Sequence, residues 1–440
     1  MIARKIAKYI IQLINNKDEF NNVVLVEGAR QVGKTTLVRQ VLKDLKIPFK
    51  EFNLEESKSL SEKIDLCKNF EEFTELVRVE MKFEPGGEEV LFIDEAQESR
   101  RLGEFVRFMK EKWWHTQVIL SGSILSRIFR EDVRYPVGRV TPIHVQPFSF
   151  EEFLKAGEET TLLEFLELFP DKQKTFSQNT HEKLLQLLES YLKVGGLPEV
   201  VTTYFQKRDW RKLREDLLLG YYNDFKRIFG EDKQTYFIAC LKATASLIGS
   251  PFKNSFVASR LDGGKNREII GSLSQLEAWK MIFKVEQKGP RVETQFHPKR
   301  YLFDLGIARQ LRETATPVVR LLESEDSVGR TTLGGLVENV AAQVLINHSK
   351  ELSGWKKASS GSEVDFVVPW QESVIPIECK AALRVKNSHL GGLRDFMKRH
   401  RVPRGFLVSL APFEIRPLSR EEEIIVLPLY LMERWQELVQ

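Results

Sequence analysis

Short apolar runs alternate with helical patterns through the first third of the chain. Continuous apolar runs occur at residues 23–26, 90–93 and 118–120, and each is followed by polar, acidic or small residues. Between these runs, apolar side chains recur at helical spacing, as they do after Lys34. Continuous runs of this length are typical of parallel strands that are buried on both faces, so this region predicts an α/β fold with a parallel sheet.

The remainder of the chain changes its pattern three times. Residues 151–223 are helical and polar, with one break at the Gly-Gly-Leu-Pro sequence of residues 195–198. Residues 233–303 show three helical patterns followed by two short strand patterns, which is the layout of a winged helix. From residue 327 the order is helix, two strands, helix and strand, which is typical of a restriction-endonuclease-like α/β domain.

The length of 440 residues exceeds that of one ordinary hydrophobic core, so several domains are expected. We predict a P-loop ATPase domain of the AAA+-like type at residues 1–155, a helical linker or lid at 156–232, a winged-helix domain at 233–326 and a restriction-endonuclease-like domain at 327–440.

Composition restricts the class of protein. Charged residues make up 29% of the chain while the net charge is only +4, so any surface for nucleic acid must be local. The three cysteines are far apart and lack metal-ligand spacing, which favours a reducing compartment and argues against a zinc ribbon. Since no apolar run reaches membrane-spanning length and no signal-peptide core is present, we expect a cytoplasmic protein that is not inserted in a membrane.

The first apolar run leads into a complete phosphate-binding loop of the form G-x-x-x-x-G-K-[ST]. Its residues are Gly28, Ala29, Arg30, Gln31, Val32, Gly33, Lys34, Thr35 and Thr36. A strand, a glycine loop and a helix together direct backbone N–H groups and a helix N-terminus at a phosphate. Lys34 is expected to contact the β- and γ-phosphates and the Thr35 hydroxyl to bind Mg²⁺, so we predict ATP and Mg²⁺ as ligands.

The apolar run at residues 90–93 ends in Asp94 and Glu95, as a Walker B segment does. Asp94 is expected to hold the Mg²⁺ shell, and Glu95 is expected to orient and activate the water that attacks the γ-phosphate. Gln97 is a further candidate for contact with this water, although a solvated loop position would fit it equally well.

Two further positions are candidates for contact with the γ-phosphate. The strand that ends at residue 121 is expected between the P-loop and Walker B strands, which makes Ser121 or Ser123 the sensor, unless these residues only cap a helix. Arg139, or Arg134 before it, is a candidate charge-neutralising arginine in cis or across a subunit interface. A surface salt bridge is the alternative role for either arginine.

The third helix of the predicted winged helix would enter a DNA major groove with its first turn. Lys265, Asn266 and Arg267 stand at that turn. Because basic residues are few in this segment, a structural or protein-binding winged helix is the alternative to a DNA reader.

The last segment contains a second constellation of charged residues. Asp365 lies on one predicted strand, and Glu378 and Lys380 share a face of the next because strand side chains alternate. If the strands pair as a hairpin, these side chains converge, and Glu338 joins them from a helix. The three carboxylates would form a hard oxygen site for Mg²⁺ or Mn²⁺, where Lys380 would assist a water in attack on a phosphodiester. The same short motif also arises by chance on solvated strand edges.

The whole chain resembles a family of bacterial and archaeal AAA+-like ATPases whose C-terminal half is a domain of unknown function. The matching stretches are residues 28–36, 93–97, 121–123, 138–140, 147–153, 195–199, 301–306, 336–339, 363–366 and 377–380. The resemblance covers the chain nearly from end to end, and it implies ATP binding, a winged helix and a nuclease-like C-terminal domain. Ser121 departs from the threonine that is usual in these relatives, but both residues offer a hydroxyl.

Three hypotheses for function follow. In the first, ATP binding repositions the winged helix and the C-terminal domain on DNA, where a metal ion bound by Asp365 and Glu378 supports phosphodiester cleavage. In the second, the protein is a nucleotide switch whose C-terminal parts only bind DNA or a protein partner. In the third, the protein is a translocating motor, which would require a homo-oligomeric ring and an arginine finger.

Overall fold

The structure is a computed structural model that describes most of the chain. The described residues are 2–16, 22–129, 138–172, 176–261, 264–289, 296–312, 327–349, 351–357 and 361–439. The chain divides into two compact units. The N-terminal unit comprises Met1–Pro147 and Ala278–Lys280, and the C-terminal unit comprises Phe148–Glu277 and Met281–Gln440.

The N-terminal unit is built on a parallel sheet. Its described strands are β1 (Val23–Glu27), β2 (Phe49–Asn53), β3 (Val90–Asp94), β4 (Val118–Gly122) and β5 (Thr141–His144). The strands lie in the order β2-β3-β4-β1-β5, and neighbouring strands are parallel. The strand β4 therefore lies between the P-loop strand β1 and the Walker B strand β3, which confirms the order expected from the sequence.

Helices pack against this sheet. Those described are α1 (Lys5–Asn15), α2 (Lys34–Asp44), α3 (Lys58–Leu66), α4 (Phe70–Glu80) and α5 (Leu102–Lys112), with short 3-10 helices at Ala96–Glu98 and Leu125–Ile128. Apolar side chains of β3 and β4 share a core with α4 and α5, where the rings of Phe73 and Phe105 stack with centroids 4.7 Å apart. Both faces of β3 and β4 are buried, which explains why their sequences are continuously apolar.

The C-terminal unit begins with helices. Those described are α6 (Phe150–Ala156), α7 (Thr160–Lys172), α8 (Gln178–Val194), α9 (Pro198–Phe205), α10 (Trp210–Phe229), α11 (Glu231–Ser246), α12 (Asn254–Ala258), α13 (Asn266–Ala278) and α14 (Leu305–Leu311). Two later helices are α15 (Ser327–Ile346) and α16 (Gly391–His400), and 3-10 segments occupy Asn387–Leu390 and Leu429–Leu438. None of the described helices is long and apolar enough to cross a lipid bilayer.

A mixed sheet organises the rest of this unit. Its described strands are β6 (Ile282–Lys288), β7 (Lys299–Leu302), β8 (Ser353–Lys356), β9 (Glu363–Trp370), β10 (Ser373–Lys380), β11 (Arg404–Ser409), β12 (Glu414–Pro417) and β13 (Glu423–Pro428). Their order is β12-β13-β11-β10-β9-β8-β6-β7. The strands β9 and β10 are antiparallel, with Ile377 opposite Phe366, so the hairpin expected to bring Asp365 and Glu378 together is present.

The segment predicted as a winged helix contains the helices α11, α12 and α13 followed by the antiparallel pair β6 and β7. The strand β6 also pairs in parallel with β8, where Glu286 lies opposite Ser353. The hairpin is therefore one edge of the C-terminal sheet. The domain boundary predicted at residue 326 does not separate two sheets, because main-chain hydrogen bonds join strands from both sides of it.

Two glycine-containing segments meet at a buried junction in this unit. Gly195 ends α8 with a φ of 87°, and the Oδ2 atom of Asp304 accepts a hydrogen bond of 2.7 Å from the Gly196 amide. The Oδ1 atom of Asp304 accepts a bond of 2.8 Å from Ile307 and so caps α14. A Cβ atom at Gly306 would lie 2.2 Å from a carbonyl oxygen of α8. The glycines thus allow a close helix contact that Asp304 fixes.

The helices α6 and α8, on either side of the boundary predicted at residue 155, pack on the end of the chain. Glu151 on α6 is fully buried and forms a two-bond ion pair with Arg434, at 2.8 and 2.7 Å. His181 on α8 makes a hydrogen bond of 2.8 Å with the Tyr430 hydroxyl. Residues 156–232 are therefore part of the same compact unit as the C-terminal sheet, whereas the sequence suggested a separate linker.

Candidate functional site

The phosphate-binding loop lies between β1 and α2, where it curls around the Lys34 ammonium. Gly33 precedes α2 with a φ of 85°, a left-handed conformation that favours glycine. A Cβ atom at Gly28 would lie 2.2 Å from a carbonyl oxygen beside β5, so this position has room only for glycine. The Nζ atom of Lys34 donates to the carbonyl oxygens of Gly28 at 3.1 Å and Ala29 at 3.0 Å.

Lys34 is a buried cation without a carboxylate in hydrogen-bond contact among the described residues. Its exposed fraction is 5%, and burial lowers its pKa, while the nearby charges of Glu95 and Asp94 oppose that shift. Its hydrogen bonds go to neutral carbonyl groups, which are weaker partners for an ammonium than charged oxygens are. A phosphate would therefore compete well for this lysine.

Asp94 is the centre of the polar network at the carboxyl ends of the strands. Its Oδ2 atom accepts hydrogen bonds from the Thr35 hydroxyl at 2.8 Å and from the Asn53 amide at 3.3 Å. The Ser121 hydroxyl donates to Oδ1, and Ser121 is fully buried. The structure thus brings Ser121 to Asp94, whereas Ser123 is only half-buried. The hydroxyl and carboxylate oxygens of Thr35 and Asp94 are the hard ligands that Mg²⁺ prefers, so these residues fit the predicted ion.

Glu95 follows Asp94 in a left-handed backbone conformation, with a φ of 50° and a ψ of 44°. This conformation is uncommon for a residue with a side chain and turns Glu95 out of the line of β3. Gln97 donates to the carboxylate of Glu95 through Nε2, while its own Oε1 atom is buried without a hydrogen-bond partner among the described residues. Burial raises the pKa of Glu95, although Lys34 and the Gln97 bond act in the opposite direction.

The candidate arginines are placed differently. Arg30 in the loop pairs with both carboxylate oxygens of Glu55 at 3.0 Å. Arg139 pairs with Glu111 on the last turn of α5 at 3.1 Å, and both side chains are partly exposed. Within the described residues, Arg139 forms no ion pair with Asp94 or Glu95. Its contact with Glu111 is a salt bridge of the kind considered as the alternative to a finger role. Arg134 lies outside the described residues.

Two of the predicted C-terminal carboxylates, Glu338 and Asp365, meet at the ammonium of Lys299, which was not among the predicted site residues. Lys299 lies on β7 with an exposed fraction of 2%. Its Nζ atom lies 2.9 Å from Glu338, 2.7 Å from Glu363 and 2.7 Å from Asp365. Although burial acts to lower the pKa of Lys299, the surrounding carboxylates raise it well above the ordinary value. Lys299 is therefore the counter-ion of the carboxylates around it.

Further hydrogen bonds complete this group, which we call the Lys299 cluster: Lys299, Tyr301, Glu338, Glu363 and Asp365. The Tyr301 hydroxyl donates to Glu338 at 2.5 Å. The Oδ2 atom of Asp365 accepts a bond of 2.8 Å from the amide that follows Glu378. Burial acts against ionisation of Asp365, yet the nearby Lys299 and Lys380 hold its pKa below the usual value.

Glu378 and Lys380 lie beside the cluster on β10. The Lys380 ammonium donates to the Oε1 atom of Glu378, so the two side chains share a face as predicted. The Oε2 atom of Glu378 is buried and has no hydrogen-bond partner among the described residues. Burial and the neighbouring charge of Asp365 raise the pKa of Glu378 to about 8 and that of Glu338 to about 7.

The predicted metal ligands Glu338, Asp365 and Glu378 do not form an open metal site in this arrangement. Among the described residues, no group of three or more His, Cys, Asp or Glu side chains is arranged to hold a metal ion. The physical reason is that the Lys299 ammonium already binds one oxygen each of Glu338 and Asp365. No predicted motif includes Lys299, which lies two residues before the strand pattern that begins at Tyr301.

Comparison with known families gives matches for three segments of the chain. Residues 20–154 match the family model described as an AAA domain. Residues 185–317 match a domain of unknown function (DUF8612), and residues 333–432 match another domain of unknown function (DUF4143). No curated protein matches the chain significantly.

Three solved structures resemble the chain weakly. The Walker-type ATPase of Pyrococcus abyssi is 17% identical, and the match covers 71% of this chain and 96% of that chain with a TM-score of 0.44. A STAND protein with a tetratricopeptide repeat sensor from Pyrococcus horikoshii is 14% identical, with coverage of 80% and 48% and a TM-score of 0.29. The Drosophila ORC bound to DNA is 13% identical, with coverage of 70% and 93% and a TM-score of 0.27.

The family match and the Walker geometry together define the class of the N-terminal unit. Residues 20–154 form an AAA-type P-loop ATPase domain, which confirms this part of the sequence prediction. The two later segments match families without a described function, so the winged-helix and nuclease-like assignments stay predictions.

Proposed function

We propose that the N-terminal unit binds ATP with Mg²⁺ and hydrolyses the bond between the β- and γ-phosphates. The observation that carries this proposal is the network around Asp94, which joins the hydroxyl groups of Thr35 and Ser121 at the mouth of the phosphate-binding loop. Mg²⁺ held by Thr35 and Asp94 would neutralise charge on the β- and γ-phosphates. Lys34 would exchange its carbonyl partners for phosphate oxygens.

Glu95 is the general base of this proposal. A carboxylate accepts a proton from water more readily when its pKa is raised, and burial raises the pKa of Glu95. The hydrogen bond from Gln97 fixes one oxygen of the carboxylate and leaves the other for the attacking water. Ser121 keeps Asp94 in a fixed orientation and serves as the sensor in this arrangement.

Steady-state ATP turnover with Mg²⁺ tests the proposal in the full chain. We expect Glu95→Gln to lower kcat about 10²–10⁴-fold, the range of a lost general base, while ATP affinity is retained. Lys34→Ala is expected to abolish both binding and turnover. Glu98→Gln and Lys43→Ala are the matched controls, because both residues are exposed. Glu98 lies three residues after Glu95, and Lys43 lies at the far end of the helix that begins with Lys34. Equal turnover in Glu95→Gln and the wild type would refute the assigned base.

We further propose that nucleotide state controls binding of DNA by the C-terminal unit. The support is topological. The order α15, β8, β9, β10, α16 and β11 is the expected helix, two strands, helix and strand with one strand added before β9, and α11 to β7 follow the order of a winged helix. The affinity of Glu95→Gln for duplex DNA should differ between ATP and ADP, because only the former keeps the γ-phosphate. Equal affinities would contradict coupling.

Metal-dependent phosphodiester cleavage is a second candidate function. The observation that favours it is the buried, unpartnered Oε2 atom of Glu378 beside Lys380. The bonds from Lys299 to Glu338 and Asp365 favour binding without cleavage. Incubation of plasmid DNA with Mg²⁺ or Mn²⁺ separates the two. Cleavage that is lost in Lys380→Ala would establish the nuclease, whereas intact plasmid alongside normal ATP turnover would support the switch.

A further inference from the structure

Basic residues concentrate in one short segment of the C-terminal unit. Residues 380–401 contain seven lysine and arginine residues and a single carboxylate, although the whole chain has a net charge of only +4. We call these side chains the cationic surface: Lys380, Arg384, Lys386, Arg394, Lys398, Arg399 and Arg401. The segment begins where β10 ends beside Glu378, and it continues through a 3-10 turn into α16.

The fold directs most of these side chains to solvent. On α16, Leu393, Phe396 and Met397 are buried in a hydrophobic core, so the opposite side of the helix is exposed. Arg394 and Lys398 lie one turn apart on that exposed side. The single carboxylate of the segment, Asp395, is half-buried and is bound by Lys357 at 3.1 Å.

The positive charges before α16 lie close together. The Arg416 guanidinium donates to the carbonyl of Val385 at 3.1 Å, which places it next to Lys386. The Lys386 amide in turn donates to the His389 ring at 3.3 Å. Burial lowers the pKa of His389, and the charges of Lys380, Lys386 and Arg416 lower it further. Lys380, Lys386 and Arg416 thus all lie near the His389 ring, although Arg416 also pairs with Glu414 at 2.8 Å.

Lys380 pairs with Glu378, but four exposed members of the cationic surface have no carboxylate partner among the described residues. Arg39 and Arg78 in the N-terminal unit each pair with a glutamate at 2.7 Å. In the part of the chain that the structure describes, no carboxylate pairs with the exposed Arg384, Lys386, Arg394 or Lys398. An unneutralised cluster of this kind attracts polyanions and binds them in a salt-dependent way.

We propose that the cationic surface binds the sugar-phosphate backbone of duplex DNA. This inference rests on the proposed DNA binding and names its location, which differs from the predicted recognition helix. The start of α13 offers only Lys265 and Arg267 and is followed at once by Glu268. Lysine and arginine side chains without interspersed exposed aromatic rings suit phosphate contacts rather than base stacking, so binding is expected to show little sequence preference.

Fluorescence anisotropy of the full chain with a short labelled duplex, over a series of KCl concentrations, tests this inference. Two charge-reversal variants are compared with the wild type: Arg384→Glu/Lys386→Glu and Arg394→Glu/Lys398→Glu. Each should weaken DNA binding by at least about 10-fold. Each should also reduce the slope of log K against log salt by roughly two, because one phosphate contact contributes about one to this slope. Lys58→Glu/Lys68→Glu makes the same change in net charge on exposed residues of the N-terminal unit, and a change of less than about 3-fold is expected from the loss of net charge alone.

The milder variant Arg384→Gln/Lys386→Gln and thermal unfolding of each variant exclude a loss of fold as the cause. Wild-type binding that persists in both reversal variants, but is lost in Lys265→Glu/Arg267→Glu, would overturn the inference and return DNA contact to α13. No wild-type binding to DNA would instead refute the proposed coupling as a whole. Wild-type binding to phosphatidylserine vesicles without binding to DNA would assign the surface to an anionic membrane and likewise overturn the inference.

Discussion

Lys34 and Lys299 are both buried among the described residues, but their ammonium groups have different partners. Lys34 donates to two neutral carbonyl oxygens of its own loop, whereas Lys299 contacts three carboxylates from other elements. An ammonium held by neutral groups gains from a charged ligand, and an ammonium that is already neutralised does not. The partners of a buried lysine therefore distinguish a site that is prepared for a charged ligand from a site whose charges are already paired.

Removal of the charge of each lysine should produce the largest difference between the two sites, measured as the loss of unfolding free energy. Lys299→Met leaves buried carboxylates without a counter-ion, and removal of one partner of a buried ion pair costs about 3–5 kcal/mol. Lys34→Met removes only bonds to neutral carbonyls, so we expect a loss of about 1 kcal/mol. Urea unfolding followed by tryptophan fluorescence measures both changes. A smaller loss in Lys299→Met than in Lys34→Met would contradict the distinction.

The response to pH provides a smaller contrast. Glu378 has a pKa of about 8 in the folded protein, well above the ordinary value, because it is buried near Asp365. The folded state therefore holds a proton that the unfolded chain has released, and the free energy of unfolding falls as pH rises from about 5 to 8. The neutral variant Glu378→Gln should show a shallower decline, by about 1 kcal/mol or more, which corresponds to a few degrees in Tm.

The control for this experiment is Glu372→Gln, an exposed carboxylate on the turn between β9 and β10. It should decline with pH as steeply as the wild type. If Glu378→Gln also follows the wild-type curve, the extra proton of the folded state is not held at Glu378. Glu338 in the neighbouring Lys299 cluster would then be the next candidate for the protonated group.

The smallest expected effect concerns the sensor hydroxyl. Ser121 donates to Asp94, so Ser121→Ala should lower ATP turnover by about 10-fold, equivalent to about 1.4 kcal/mol and in the range of a lost hydrogen bond to a charged group. Ser121→Thr keeps the hydroxyl and should retain most of the rate. Ser123→Ala should leave turnover near that of the wild type, and the opposite ranking of the two serines would assign the sensor to Ser123.

The sequence was most informative where the interacting residues are close along the chain or sit on regular elements. The P-loop residues adjoin one another, and Asp94 closes an apolar strand, so the AAA-type domain and its strand order could be predicted. The pairing of β9 with β10 could also be predicted, because a short turn joins them. In each case local spacing determines which side chains meet.

Contacts between distant segments were not accessible in this way. Lys299 meets Asp365 only because β6 pairs with β8 across more than sixty residues of chain, and no local pattern specifies that register. The identity of Lys299 as the counter-ion, and the closed state of the predicted metal site, follow from that pairing. The role of Arg139 as a finger stays a prediction, since its present partner Glu111 belongs to the same unit.

The pairing of β6 with β8 also limits where the protein can be divided into fragments. The two family models of unknown function end and begin on either side of residue 326, yet their segments share one sheet and one charged cluster. A fragment that starts at residue 327 would lose Lys299 and expose a bare strand edge, which is a common cause of aggregation. A fragment that keeps the whole C-terminal unit together begins at Phe148 instead.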